Sequence, residues 1–253
     1  MNTILLAYRN RPALLRTFLA SLAGTSLPVI IVDLGSVGTE DVLKRFPDLH
    51  IRHEWFDDSG PFNKSKATNY AIRLAETEFV TIADVDSAFP ARFFDDLTNF
   101  VATAPNKKIG IRIKYLDPHH SHLVLSDSMS HAEQWFTKET GNYAHEGHAG
   151  HLTGNSHLCM RRTRLIELGG LDERYVGYGW EDHDFNMRCV ENGIETVMFP
   201  TPILHLWHQR ENDWYMDKYL NANKALFEQN KSEGFPPIQF GGLLGQDIER
   251  SIS

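Results

Sequence analysis

Cysteine is nearly missing from this chain: Cys159 and Cys189 are the only two in 253 residues. That number does not build a disulfide framework, and two buried free thiols without chemistry are the expectation. Long apolar runs are missing too, since Met1–Ala7 leads directly into the charged stretch Tyr8-Arg9-Asn10-Arg11. The run is too short for a signal peptide or a membrane span, so the sequence predicts a cytoplasmic protein with at most a peripheral hold on a membrane. Basic charge is in deficit, with 25 Lys and Arg against 33 Asp and Glu, a net charge of −8 and a pI near 5.9. A nucleic-acid backbone is therefore excluded as the main partner, although local basic residues remain able to bind a diphosphate. No internal repeat and no low-complexity segment is visible.

What is present is enough apolar content, 42% of 253 residues, to bury one substantial core as a single domain over 1–253. The first half alternates β-rich runs with helical patterns: Thr3–Ala7, Pro12–Leu22, Val29–Val32, Glu40–Phe46, Ile51–Trp55, Lys64–Ala75 and Phe79–Ala83. This is the pattern of an α/β fold, a mostly parallel Rossmann-like sheet flanked by helices. Asn10, Thr39 and Asn63 stand where helix caps are expected. The strand ends fall at Tyr8, Asp33 and Asp84, which should line one crevice at the carboxyl edge of the sheet.

Beyond Ile109–Ile113 the pattern turns irregular, with Asp117-Pro118-His119-His120-Ser121-His122 and Gly141–Gly154 reading as loops of an acceptor or lid region. Regularity returns with a strand at Ser156–Met160, a helix at Arg162–Leu168, a Gly169-Gly170 break, a helix from Glu181 to about Asn192, a strand at Glu195–Phe199 and a helix around Asp213–Gln229. The tail from Gly234 reads as mostly unstructured.

Three clusters carry chemistry. Asp84-Val85-Asp86 follows the buried strand Phe79–Ala83, and carboxylates at alternate positions after a strand can reach a ribose hydroxyl and a hard divalent cation. His205-x-x-His208 supplies imidazoles that suit Mn²⁺ or Zn²⁺, and with Asp86 it fills out a mixed nitrogen and oxygen site. Trp180-Glu181-Asp182-His183-Asp184 places carboxylates in the first turn of a helix, where the macrodipole alone explains acidic residues. A general base for an alcohol also needs an ionised carboxylate, and Gly177-Tyr178-Gly179 lets the backbone approach a sugar. Lys64 and Lys66 read as solvated helix residues and are left outside the core site, although lysines near a helix N-terminus can reach a donor or its phosphates, and His145-x-x-His148-x-x-His151 lacks a fourth ligand for a standard zinc cluster.

Tyr8-Arg9-Asn10-Arg11, Phe62-Asn63-Lys64-Ser65-Lys66-Ala67, Asp84-Val85-Asp86 and Gly169-Gly170…Gly179-Trp180-Glu181-Asp182 occur in the order seen in β-1,4-galactosyltransferases and related bacterial glycosyltransferases. The chain resembles that family over about residues 3 to 210. The resemblance implies a glycosyltransferase-A fold, with a nucleotide-binding half at about 1–113, an acceptor-binding and catalytic half at about 114–233, and a tail at 234–253. It implies transfer of a hexose or N-acetylhexosamine, galactose favoured, from a UDP-sugar to a saccharide hydroxyl with inversion, and Mn²⁺ or another divalent cation holding the diphosphate. Tyr8, Arg9, Arg11, Asp33 and Phe62 would face the nucleotide, and Asp84 its ribose. Asp86, His205 and His208 would ligate the metal, with His205 at the position of the family's Met. Trp180 would pack on a sugar, Glu181 would hold donor or acceptor hydroxyls, and Asp182 would be the general base. Another donor, GDP-mannose or UDP-GlcNAc, and a binding domain without turnover are the alternatives.

Overall fold

The computed structural model describes residues 1–127, 129–137, 142–143, 157–209 and 213–242. The first half follows the expected alternation: β1 (Asn2–Tyr8), α1 (Pro12–Ser21), β2 (Val29–Leu34), α2 (Thr39–Leu43), β3 (Ile51–Phe56), α3 (Lys64–Leu74) and β4 (Phe79–Ala83). It continues with β5 (Ser87–Ala88), α4 (Phe93–Thr103), β6 (Lys108–Tyr115), α5 (Pro118–Asp127), α6 (Met129–Thr137), β7 (Asn142–Tyr143), β8 (Leu158–Arg161), α7 (Arg162–Glu167), α8 (Glu181–Glu191), β9 (Thr196–His205) and α9 (Asp213–Ser232).

All nine of these strands join one sheet in the order β3-β2-β1-β4-β8-β6-β9-β5, with β7 attached to β6. The first four are mutually parallel, β8 runs antiparallel between β4 and β6, and β9 returns parallel to β6. Strand residues alternate between faces, so β1 sends Ile4 and Leu6 to one core with Leu15, Phe18 and Phe89, and Leu5 to the other with Ala71, Ile82 and Phe185. Burial on both faces is why β1, β2 and β4 read as continuous apolar runs. Tyr8 lies opposite Asp33 and Leu6 opposite Ala83, which brings the carboxyl ends of three strands together as the sequence predicts.

Several expectations are corrected. The stretch from Asp117 is not irregular: Asp117 accepts a hydrogen bond from the His120 amide at 2.8 Å and opens α5, and α6 follows. The strand expected at Glu195–Phe199 does not stop there: β9 runs on through prolines 200 and 202 to His205, and a register shift against β6 falls between Ile111 and Ile113. Asn10 does not cap α1; with φ of 47° it accepts from the Val37 amide at 3.4 Å and donates its own amide to Ser36 Oγ at 2.8 Å. Thr39 lies inside α2 and donates its hydroxyl to Asp33 at 2.6 Å, whereas Asn63 caps α3 as expected, accepting from the Lys66 amide at 2.8 Å. The His145, His148 and His151 segment lies outside the described residues.

The tail contains no helix or strand up to residue 242, yet it is firmly docked. Phe235 is buried, the Ile238 amide donates to Leu168 O at 3.2 Å, and Arg73 donates to Gly241 O at 2.6 Å while its guanidinium lies 4.9 Å from the Phe240 ring centre. Gly169 permits this, since it has φ of +89° and a Cβ there would collide with the Ile238 carbonyl. Gly169→Ala is therefore expected to destabilise the fold by about 1–2 kcal/mol and to speed hydrogen exchange of the Ile238 amide at least about tenfold. Unchanged exchange at Ile238 would show that the tail does not depend on this close approach.

Candidate functional site

The β5 and β9 pairing builds one side of the crevice. Ser87 lies opposite His205, and the Leu206 amide donates to Asp86 O at 2.7 Å, so the turn after β4 and the end of β9 are bound to each other. Ligand atoms of Asp86, His205 and His208 consequently lie within 4.8 Å of one another. His208 Nε2 is 3.1 Å and His205 Nε2 3.4 Å from Asp86 Oδ2, while Arg11 Nη1 lies 2.9 Å from His208 Nε2. Burial raises the pKa of Asp86, but the His208 hydrogen bond and the nearby His205 outweigh it and hold the carboxyl below its ordinary value. Asp86 Oδ1 is buried without a hydrogen-bond partner among the described residues. An orphaned carboxylate oxygen beside two imidazoles is a donor set that fits Mn²⁺ or Zn²⁺.

The other carboxylates meet at Lys64. Its ammonium is paired with Asp84 and acts electrostatically on Glu181 and Asp182. Burial lowers the pKa of Lys64, yet these three carboxylates more than offset it and the group stays firmly charged. Lys64 thus belongs to the site, contrary to its reading as a solvated residue; its place directly after the Asn63 cap was the available signal. Glu181 is pushed up to about 7, by burial first and by the adjacent Asp182 charge second, against the pull of Lys64. Asp182 accepts at Oδ1 from the His183 amide at 2.8 Å and from His183 Nδ1 at 2.9 Å.

His157, for which the sequence offered no signal, completes the floor. It is buried, and its Nε2 accepts from the Asp84 amide at 3.2 Å and the Ser87 hydroxyl at 2.6 Å, which assigns the ring proton to Nδ1. Burial holds its pKa below the ordinary histidine value, keeping the ring neutral. His157 therefore fixes both ends of the Asp84–Ser87 turn.

The nucleotide-side candidates are placed less openly. Tyr8 is 1% exposed, its hydroxyl accepts from the Arg11 amide at 3.1 Å, and its ring belongs to the core. Asp33 is fully buried, accepting from the Ser36 amide at 2.9 Å and the Thr39 hydroxyl at 2.6 Å, with His53 Nε2 at 3.3 Å. Arg9 fastens the loop before α3, donating to Leu34 O, to Gly60 O at 2.6 Å and to Asp58 O at 3.0 Å, with Phe62 under its guanidinium at 5.6 Å. Trp180 packs on Phe227 at 4.8 Å and His183 at 5.3 Å, whereas Tyr178, two residues earlier, is 41% exposed. Tyr115 stacks on His205 at 4.5 Å at the rim of the crevice. Both thiols are buried, with Cys159 raised to about 12 and Cys189 to about 11 by burial, which leaves them inert as expected.

The profile of the family described as "Glycosyltransferase like family 2" matches residues 3–226. The chain belongs to glycosyltransferase family 2. Human chondroitin sulfate N-acetylgalactosaminyltransferase 1 is 24% identical over 181 residues, which covers 69% of this chain but 32% of the human protein. Residues 1–349 of Staphylococcus aureus TarS superpose with a TM-score of 0.60 at 17% identity, covering 80% of this chain and 59% of that one. A mannosyltransferase from Pyrobaculum calidifontis, PcManGT, solved in complex with GDP-Man and Mn²⁺, superposes at 0.59 with 21% identity, covering 90% of this chain and 64% of that one. The glycosyltransferase-A fold of the family 2 domain is thereby established. The chain spans about a third of its human relative and less than two thirds of either structure.

Glu181 gives a measurable signature of this crowding. Its folded pKa near 7 exceeds an unfolded value near 4.5, so between these the native state holds the extra proton and stability falls as pH rises through that window. Glu181→Gln is expected to raise stability above pH 7 by on the order of 1–3 kcal/mol and to give no gain below about pH 4.5. Thermal denaturation at pH 5 and pH 8 would test this, and an equal effect at both values would remove the shifted carboxyl.

Proposed function

We propose that the chain is the catalytic domain of a metal-dependent inverting glycosyltransferase, which moves a hexose or N-acetylhexosamine, galactose favoured, from a UDP-sugar to a saccharide hydroxyl. The observation that carries this reading is one crevice holding both an Asp86, His205 and His208 cluster with an unpartnered carboxylate oxygen and a second carboxylate pair, Glu181 and Asp182, on which the Lys64 charge acts. Two carboxylates with separate environments suit separate roles. Asp182 accepts the proton of the acceptor hydroxyl as that oxygen bonds to the anomeric carbon and the bond to the diphosphate oxygen breaks, a single displacement that inverts the centre. Glu181, pushed up to about 7, holds a proton often enough at neutral pH to donate a hydrogen bond to a sugar hydroxyl. Lys64 sets the field in which both carboxylates act, and Arg11 lies 3.9 Å from Asp86, on the metal side of the site rather than at the nucleobase end that the resemblance implies.

Asp86, His205 and His208 would hold the cation. When bound, Mn²⁺ supplies neutralising charge to the departing diphosphate. The Mn²⁺ in the archaeal mannosyltransferase complex supports that assignment, and the N-acetylgalactosaminyl transfer named for the human relative supports an N-acetylhexosamine among the donors. The GDP-Man in the same archaeal complex keeps GDP-mannose as the competing donor. No helix among the described residues is long and apolar enough to cross a membrane. In this reading residues 1–253 act as one catalytic domain, and its setting is the cytoplasm, on a saccharide or membrane-surface glycan precursor.

Incubation with Mn²⁺ and a panel of UDP- and GDP-sugars, followed by nucleotide release with and without saccharide acceptors, distinguishes the donors. Asp182→Asn is expected to keep Mn²⁺-dependent UDP affinity within about twofold while transfer falls by about 10³-fold, in keeping with loss of a general base. Asp86→Ala is expected to weaken Mn²⁺-dependent UDP binding at least about tenfold by calorimetry. Normal turnover in the first variant removes the base assignment, and unchanged affinity in the second removes Asp86 from the metal site.

A further inference from the structure

The Asp182 carboxylate is held unevenly. Both N–H groups of His183, the backbone amide at 2.8 Å and ring Nδ1 at 2.9 Å, converge on Oδ1. No hydrogen bond among the described residues reaches Oδ2. One oxygen is thus anchored twice, and the other is left as the lone-pair site available for a proton.

The imidazole is itself fixed. Trp180 packs 5.3 Å away on one side, Phe227 of α9 stands edge-on at 6.5 Å, and the two aromatic rings touch each other at 4.8 Å. Trp180 adopts φ of +77°, a left-handed conformation that glycine takes freely and a bulky residue takes only when its surroundings impose it. The ring contact with His183 and Phe227 is what a glycine at that position could not make. The strained backbone at Trp180 and the placement of His183 are therefore parts of one device.

We propose that His183 is a positioning residue for the general base: it orients the Asp182 carboxylate so that Oδ2 meets the acceptor hydroxyl, and its protonation state sets how basic that oxygen is. This inference rests on Asp182 being the base. Nδ1 donates in both the neutral tautomer and the imidazolium, so the orientation persists with pH, whereas a proton on Nε2 adds positive charge beside Asp182 and weakens it as a base. The hydrogen bond to Asp182 raises the pKa of His183 against the opposing effect of burial, with the charges of Asp182 and Glu181 adding to the rise. The charged and titratable groups facing this pair are Glu181 from the same helix, Lys64 from α3, and Lys108 and Tyr115 from β6; Asp84 faces Glu181.

The test compares His183→Phe, which keeps a ring in the aromatic box but removes Nδ1–H, with His183→Asn, whose amide can donate to the same oxygen, and with Asp182→Asn. His183→Phe is expected to lower kcat by about 10- to 100-fold, with donor KM and Mn²⁺-dependent UDP affinity within about twofold. The acid limb of kcat/KM against pH is expected to move from its wild-type position. His183→Asn is expected to recover kcat to within about threefold of wild type and to bring the limb back. If His183→Phe matches wild type in kcat and pH profile while Asp182→Asn is inactive, the positioning role is overturned and the base reading stands. If Asp182→Asn itself turns over normally, the base reading falls and the inference with it.

Discussion

The ammonium of Lys64 is what lets three carboxylates share one crevice. Asp84, Glu181 and Asp182 all act on it, and like charges brought this close in a medium less polar than water repel strongly without a cation between them. The position works against the helix, since a lysine at the first residue of α3 faces the positive end of the macrodipole. Fold stability alone does not favour that arrangement; the three acids explain it. Asp86 is balanced separately by Arg11, His205 and His208, so the crevice divides into two charge systems with His157 bonded beneath the turn that joins them. Glu181 is the member of this group whose carboxyl is pushed up to about 7, by burial first and by the Asp182 charge second.

These groups are far apart in sequence because the sheet, not local chain geometry, collects them. Asp84 leaves the carboxyl end of β4, Lys64 begins the helix that feeds β4, and His205 ends β9. The antiparallel β8, inserted between β4 and β6, starts at the carboxyl edge and ends at the amino edge, so α7 and the stretch up to Trp180 carry the chain back before α8 opens with Glu181 and Asp182.

The regular part of this arrangement was legible because it obeys period. β1, β2 and β4 are buried on both faces, so their apolar runs could be read directly, and the acidic residues that follow β4 inherit their place from it. What was not legible depends on which partner a polar side chain finds. Tyr8 ends β1 as predicted and Asp33 stands one residue short of the end of β2, but Tyr8 turns its hydroxyl to Arg11 and Asp33 is enclosed by Ser36, Thr39 and His53, choices of partner that strand periodicity does not reveal. Trp180 stands beside the right carboxylates, yet its ring packs inward on Phe227 of a helix some fifty residues later, while Tyr178 keeps the exposed face. The stretch from Asp117 looked irregular because its helix lacks a clear apolar stripe and is started by a local Asp117 to His120 contact.

The first turn of α8 also depends on a scaffold further along the helix. On α8 the residues Asp184, Phe185, Arg188 and Cys189 face inward, one helical repeat apart, and this fixes the rotation of the helix. Asp184 is bonded to Arg188, to Tyr175 at 3.2 Å and to Asn230 of α9 at 2.6 Å, while Arg188 donates to Leu168 O at 3.1 Å and Gly170 O at 2.7 Å. A buried charge satisfied on every side tolerates little rotation, because each bond lost leaves a desolvated group behind. The same Leu168 carbonyl receives the Ile238 amide, so the docked tail and the interior network hold one loop between them. Glu181 and Asp182, in the first turn of that helix, therefore have their direction set by residues one to two turns further along it. The acidic residues of 181–184 are in this sense two devices: Asp184 locks the helix, and Glu181 and Asp182 stay crowded in its first turn beside the Lys64 charge.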